Sequence, residues 1–491
     1  MLLSISQITK LSNALTLVPA RDQNLVIQKL SWDSRTVQPG MLFIAMNGET
    51  FDGNDFIIEA FEKGAAAVLA SRQVNEAERL TAQRHRAALL YVTDALEALQ
   101  RLATEYRDML DVKVVGITGS SGKTSTKAFV NAVLEKAFLT VVSMGNRNNE
   151  IGLPATVLSA SPMTEILVLE MAMRGFGQIR RLCEIARPQV GIITNIGSAH
   201  LELLGSKENI VRAKAELIEA LPQGSGIAIL NGDDPFCPLI REIAKTDERA
   251  IKVVTFGLGQ SNDFCASNIE YDELGCPSFD LLSSEGTSNR VHLSLAGSHS
   301  IYNSLAAAAT GFCLGLKPKL ITSALEQVQA TPMRQVSHTL EDGTLLIDDT
   351  YNANPDSMRA ALEVLSRLDK SRLHIAVLGD MGELGPEEEM LHREVGACVG
   401  QTGVDVLITI GSLASCYAEG ALSAGMDESC IISCPNFEEA IEALVSYKDQ
   451  APIILVKASR FMCLERIVEA LIENGASSAL RKERKMEMDF E

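Results

Sequence analysis

The residues best suited to chemistry are Gly119-Ser120-Ser121-Gly122-Lys123-Thr124, between the apolar run Lys113–Thr118 and a helical stretch from Thr124 to Phe138. Glycines at a strand-to-helix turn let backbone N–H groups crowd an anion, and the helix start adds positive potential. Lys123 can reach the outer phosphates of a nucleotide, and the Thr124 hydroxyl can ligate Mg²⁺. The loop therefore implies a nucleoside triphosphate. Ile117 stands where the general phosphate loop has its first glycine, which leaves a shortened Gly-x-x-Gly-Lys-Thr form.

Further candidates follow apolar runs that read as strands. Glu170 follows Ile166–Leu169, Asn195 and His200 follow Val190–Thr194, and Asp348-Asp349 follow Leu345–Ile347. Ligands of open parallel sheets collect beyond the carboxyl ends of strands, so polar residues there carry extra weight. Each also has a plain alternative: an acidic residue can cap a helix, and a single His can be a satisfied structural group. Lys214 is the least expected residue. Ser206 can cap a helix running to about Leu221, and Lys214 falls on its apolar stripe of Ile210, Ala213, Leu217, Ile218 and Leu221. Desolvation would favour its neutral amine, which can take up CO₂ to give a metal-ligating carbamate. A lysine that snorkels past the stripe, or pairs with Glu216 or Glu219, remains open at this point.

Elements that position these residues fall into three zones. A chain of 491 residues exceeds one hydrophobic core. Residues 1–108 mix short strands and helices, 109–332 hold the phosphate loop and apolar runs suited to buried parallel strands, and 333–491 alternate such runs with helical segments. The expectation is an α/β protein with a small mixed N-terminal domain, a central P-loop-type parallel sheet and a C-terminal Rossmann-like doubly wound sheet. The mixed-charge tail Arg481–Glu491 reads as a solvated end.

Composition sets limits on function. A net charge of −19 opposes wrapping a polyanion, so no nucleic-acid partner is expected. No apolar stretch approaches the roughly 20 residues of a membrane helix, and Met1–Gln7 lacks a basic leader, which points to the cytoplasm. The ten cysteines, from Cys183 onward, include no Cys-x-x-Cys pair and suggest neither disulfides nor a zinc knuckle.

The phosphate loop, Gly145–Pro154 (Gly-Asn-Arg-Asn-Asn-Glu-Ile-Gly-Leu-Pro), Asp348–Pro355 (Asp-Asp-Thr-Tyr-Asn-Ala-Asn-Pro) and Leu378–Gly385 (Leu-Gly-Asp-Met-Gly-Glu-Leu-Gly) together resemble the Mur ligases, in order, from about residue 30 to about residue 470. The resemblance implies an ATP- and Mg²⁺-dependent, ADP-forming amide ligase of peptidoglycan precursor synthesis. The last two motifs point to the member that joins D-alanyl-D-alanine to a UDP-N-acetylmuramoyl-tripeptide. It implies that Ser34, Arg35, Asn47 and Gly48 face the uridine diphosphate. It further implies that Gly119 to Thr124 with Asn303, Arg334 and Asp349 hold ATP, and that Asn352, Lys457, Ser459 and Arg460 meet substrate. One Mg²⁺ would rest on Thr124 and a second among Glu170, His200 and carbamylated Lys214, with Lys123 as the catalytic cation. A monomer is expected, closing about hinges near residues 108 and 332. Met333, Ser300, Ala458 and Asn54 depart from residues common in the family. Another carboxylate–amine ligase of Mur or folylpolyglutamate-synthase type, or a nucleotide-dependent switch, is the alternative.

Overall fold

The computed structural model describes residues 1–48, 51–286 and 288–473; the tail Arg481–Glu491 lies outside them. Three large sheets follow one another along the chain. The first has five strands, ordered Leu15–Val18, Ala88–Tyr91, Ala67–Ala70, Leu42–Ile44 and Leu30–Ser31, parallel except for the first pair.

Nine strands form the central sheet. Its parallel part runs Lys252–Gly257, Ile227–Asn231, Val190–Ile193, Lys113–Thr118, Ile166–Glu170 and Thr140–Val142. The apolar runs noted above become its buried strands, because a sheet covered on both faces needs no polar alternation. Val115, Ile117, Val168 and Ile192 pack on one face with Phe129, Val130 and Leu305. Val114, Leu167, Leu169 and Ile193 pack on the other with Ile210, Leu217 and Ile218. Beyond Lys252–Gly257 the sheet extends through Phe264–Tyr271, Pro277–Ser283 and Ser288–His292, the last two pairings antiparallel. Lys113–Thr118 lies between the strand that ends in Glu170 and the strand that ends at Ile193, with Glu170 level with Ile117 and Ile193 level with Thr118. Chain order reverses here, at the crevice where α/β sheets bind ligands.

The C-terminal sheet has six strands: Val336–Thr339, Leu345–Asp349, Ile453–Lys457, His374–Gly379, Val406–Ile410 and Ile431–Cys434, parallel apart from the first pair. Asp349 and Lys457 end adjacent strands in register. The α/β class with a central parallel sheet and a doubly wound C-terminal sheet is thus as expected.

One apolar cluster crosses the expected break at residue 108. Leu99, Leu102 and Tyr106 of the helix Ala95–Asp108 pack with Val114, Leu153 and Leu182. The Tyr106 hydroxyl donates to the carbonyl of Ala160 at 2.9 Å and accepts from the Leu2 amide at 3.2 Å. All ten cysteines are free thiols, and no described helix is long and apolar enough to cross a membrane.

Candidate active site

The helix Lys123–Leu134 begins directly after Gly122, so its first-turn amides have no carbonyl one turn earlier to accept them. Two glycines make that turn possible. Gly119 has φ 152° and a Cβ there would collide with Thr194 Oγ1; Gly122 has φ 78° and a Cβ would lie 2.8 Å from Asn303 Oδ1. The following strand end fastens the loop. The Ser120 amide donates to the Asn195 carbonyl at 3.0 Å, the Ser121 amide to Asn195 Oδ1 at 3.0 Å, and Thr194 Oγ1 to the Ser121 carbonyl at 2.6 Å. Lys123 Nζ folds back onto the carbonyl of Gly119 at 2.8 Å. Surrounding protein lowers its pKa by desolvation, which Glu170 partly offsets.

Glu170 is the electrostatic centre beside the loop. Its Oε2 accepts from Thr124 Oγ1 at 3.0 Å and lies 3.1 Å from Lys127 Nζ, while Oε1 accepts from Asn148 Nδ2 at 2.9 Å. Burial alone would raise its pKa. The ammonium groups of Lys127 and Lys123 and the Asn148 amide outweigh that and hold it lowered. Lys127 was not singled out from sequence, although it stands one helical turn after Lys123.

Lys214 sits on the helix Lys207–Glu219, capped by Ser206 as expected. It is 1% exposed, and no hydrogen bond or ion pair reaches its side-chain nitrogen from any described residue. Both suggested partners are taken elsewhere: Glu216 accepts from the amides of Gly177 at 2.7 Å and Arg180 at 2.9 Å, and Glu219 lies 3.5 Å from Arg180. Desolvation, with the like charge of Lys123 second, pushes the Lys214 pKa well below its ordinary value.

A cavity of about 1190 Å³ opens over the loop and is roofed by the C-terminal domain. Of the candidate residues, Ser120, Ser121, Gly122, Lys123, Thr124, Glu170, His200, Asn303, Arg334, Asp349, Asn352, Lys457, Ser459 and Arg460 line it. Arg334 donates to Thr124 Oγ1 at 3.0 Å and lies 4.1 Å over the Tyr351 ring. Asp349 pairs with buried Lys457 at 2.8 Å, whose Nζ also donates to the Asn352 carbonyl at 2.9 Å. Ser459 Oγ accepts from the Gly382 amide at 2.9 Å, and Arg460 pairs with Glu465 at 2.9 Å. His299 also lines the cavity, with Nδ1 buried and without a hydrogen-bond partner among the described residues; sequence reading passed over it.

Not every candidate is brought here. Lys214 is not part of the lining, and Ser34, Arg35, Asn47 and Gly48 stay on the N-terminal domain. There Ser34 Oγ donates to Glu59 at 3.3 Å, Arg35 pairs with Asp33 at 2.7 Å, and Asn47 Oδ1 accepts from the fully buried Asn54 at 2.9 Å. Arg147, from the Gly145–Pro154 motif, reaches across to lie 5.4 Å over the neighbouring Trp32 ring. Among the described residues no three His, Cys, Asp or Glu side chains gather as a metal-binding group. Glu170 instead holds Lys127, and His200 Nδ1 meets Glu383 Oε2 at 2.6 Å.

A phosphate loop facing a second α/β domain across a shared cavity defines a nucleotide-using enzyme whose site lies between two of its domains. Three family models match the chain in order: "Mur ligase family, catalytic domain" at residues 26–107, "Mur ligase middle domain" at 117–311 and "Mur ligase, glutamate ligase domain" at 333–460. The chain belongs to the Mur ligase family. It is 36% identical over 462 residues to the UDP-N-acetylmuramoyl-tripeptide–D-alanyl-D-alanine ligase of Bacillus subtilis, covering 94% of this chain and 97% of that protein. Among solved structures, MurF from Acinetobacter baumannii superposes with TM-score 0.85 at 31% identity, covering 96% of this chain and 99% of that one. MurF from Thermotoga maritima in complex with ADP gives TM-score 0.78 at 29% identity, covering 92% and 98%.

Proposed function

We propose that this chain is an ATP-dependent, ADP-forming ligase that joins D-alanyl-D-alanine to a UDP-N-acetylmuramoyl-tripeptide in the cytoplasm, where ATP is available. The observation that carries the reading is the cavity itself. The phosphate loop and Glu170 line it on one side, with Arg334, Asp349 and Lys457 opposite, so a triphosphate and a carboxylate can be held together away from bulk water. The name of a relative 36% identical over nearly its whole length supports the substrate assignment.

The residues present suit Mg²⁺, a hard cation that takes oxygen ligands. Thr124 Oγ1 and the Glu170 carboxylate already meet at 3.0 Å, and would hold one ion beside the triphosphate. Glu170, His200 through Nε2, and Lys214 as a carbamate would hold a second. When bound, Mg²⁺ neutralises phosphate charge and polarises the phosphoryl oxygens.

The chain's own residues do the positioning. First-turn amides and Lys123 draw the β- and γ-phosphates into the loop. Arg334 lies across Thr124, where it meets the same phosphates and carries the C-terminal domain with it. The substrate carboxylate oxygen then forms a bond to the γ-phosphorus as the bond to ADP breaks. The amine nitrogen next attacks the acyl carbon, phosphate leaves with its electron pair, and the nitrogen loses a proton. Asn352, Lys457, Ser459 and Arg460 face the space in which that amine would sit. Ser34, Arg35, Asn47 and Gly48 would receive the uridine diphosphate on the N-terminal domain, taken as residues 1–108 beside 109–332 and 333–491.

Phosphate release is expected only when ATP, the UDP-linked tripeptide and D-alanyl-D-alanine are all present. Equal release without the dipeptide would contradict the ligase reading. The same assay run with lysine and diaminopimelate tripeptides assigns the third peptide residue.

A further inference from the structure

Glu383 comes from the C-terminal domain, yet its carboxylate meets a residue of the central domain 183 positions away: Oε2 lies 2.6 Å from His200 Nδ1. Its other oxygen, Oε1, lies 3.7 Å from Arg174 Nε, in the loop that follows Glu170. The segment carrying Glu383 is tied down on both sides. Asp380 accepts from the amides of Ser412 at 2.8 Å and Leu413 at 3.1 Å. The Met381 amide donates to His392 Nε2 at 2.9 Å, and the Gly382 amide to Ser459 Oγ at 2.9 Å.

Both members of the contact hold left-handed backbone that non-glycine residues seldom adopt, with φ 65° at His200 and 61° at Glu383. Strain of this kind persists only where the surroundings impose it, and it gathers at working sites. Glu383 is also half-exposed, so a contribution to stability explains the arrangement poorly. Geometry explains it better. A carboxylate that accepts a hydrogen bond from Nδ1–H keeps the proton on that nitrogen, leaves the lone pair on Nε2 and fixes the ring plane, which is how metal-ligating histidines are oriented.

We propose that Glu383 is a positioning residue for His200: by accepting its Nδ1–H it prepares Nε2 as a metal ligand, and it does so only when the C-terminal domain is docked. The metal site is then completed by domain closure. Bound without that domain, ATP meets Thr124 and Glu170 but not an oriented His200. This inference rests on the ligase reading, in which His200 is a ligand.

Mn²⁺ titration followed by electron paramagnetic resonance, on the full chain with a non-hydrolysable ATP analogue, tests it without relying on turnover. Wild type is expected to take up two Mn²⁺. Glu383→Ala is expected to weaken the second by about 10–100-fold while the first is unchanged. Glu383→Gln, whose amide oxygen still accepts the Nδ1 proton, should stay within about threefold of wild type. Thermal unfolding of each variant checks the fold. Wild-type Mn²⁺ affinity in Glu383→Ala alongside loss in His200→Ala would overturn the role of Glu383 alone. Unchanged affinity in His200→Ala would overturn the ligand assignment beneath it. Equal damage in Glu383→Gln and Glu383→Ala would also sink the hydrogen-bond account.

Discussion

Replacing Lys214 with alanine is expected to slow amide formation by on the order of a thousandfold, and short carboxylic acids to restore part of the lost rate. The reason is the state of its amine. Lys214 is buried, has no carboxylate partner among the described residues, and is crowded by the charge of Lys123. Such an amine is held neutral, and a neutral amine adds CO₂ and releases a proton to give a carbamate anion, which would serve the proposed second cation. Acetate or formate can enter the space that Ala leaves and supply the missing oxygens. Near-normal turnover of Lys214→Ala would end the carbamate account.

The same residue carries a stability cost with a definite sign. Its native pKa lies well below the ordinary 10.5, so between the two the unfolded chain binds a proton that the native chain does not. Stability therefore rises with pH toward 10.5, and is lowest on this count at acid pH. In CO₂-free buffer at pH 7, Lys214→Met is expected to gain about 2–4 kcal/mol in urea unfolding, the gain shrinking as pH rises. A variant more stable and yet inactive would mark Lys214 as kept for function.

Lys123→Ala is expected to lower kcat by about 10³-fold, with ADP affinity reduced far less. Lys123 Nζ is held at 2.8 Å from the Gly119 carbonyl, inside the loop that receives the outer phosphates. Among the described residues its charge has no carboxylate in contact, Glu170 and Glu383 acting only from a distance, so it is available to the γ-phosphate as negative charge builds there. ADP lacks that phosphate and loses only the contact to its β-phosphate, which the first-turn amides also hold. Lys123→Arg should not rescue, because a planar guanidinium cannot fold back into a turn whose glycines leave no room for even a Cβ beside Thr194 and Asn303. Stopped-flow phosphate release and ADP calorimetry separate the two effects. Equal loss of ADP affinity and rate would place Lys123 in ground-state binding alone.

Much of this site was legible in the residues. The loop, the strand that ends in Glu170, and Lys214 on an apolar helical stripe all follow from local pattern, since period and glycine placement are local properties. Lys127 did not, because a lysine on an amphipathic helix reads as a solvated face until the strand bearing Glu170 is laid beside it at 3.1 Å. Nor did Glu383 meeting His200, a contact across two domains that no local pattern encodes. Continuity of the apolar cluster past residue 108 was likewise hidden: Leu99, Leu102 and Tyr106 read as the core of one domain, but find their partners in the next. The antiparallel strands Pro277–Ser283 and Ser288–His292, half-buried and polar in alternation, lacked the continuous apolar runs that marked the parallel strands.

The central claim is that the cavity activates a substrate carboxylate with the γ-phosphate of ATP before an amine displaces it. A UDP-N-acetylmuramoyl-tripeptide with ¹⁸O in the carboxylate of its third residue tests this most directly. One ¹⁸O atom is predicted to appear in each phosphate formed alongside ADP in the presence of D-alanyl-D-alanine. Phosphate released without label while the amide product accumulates would contradict the account.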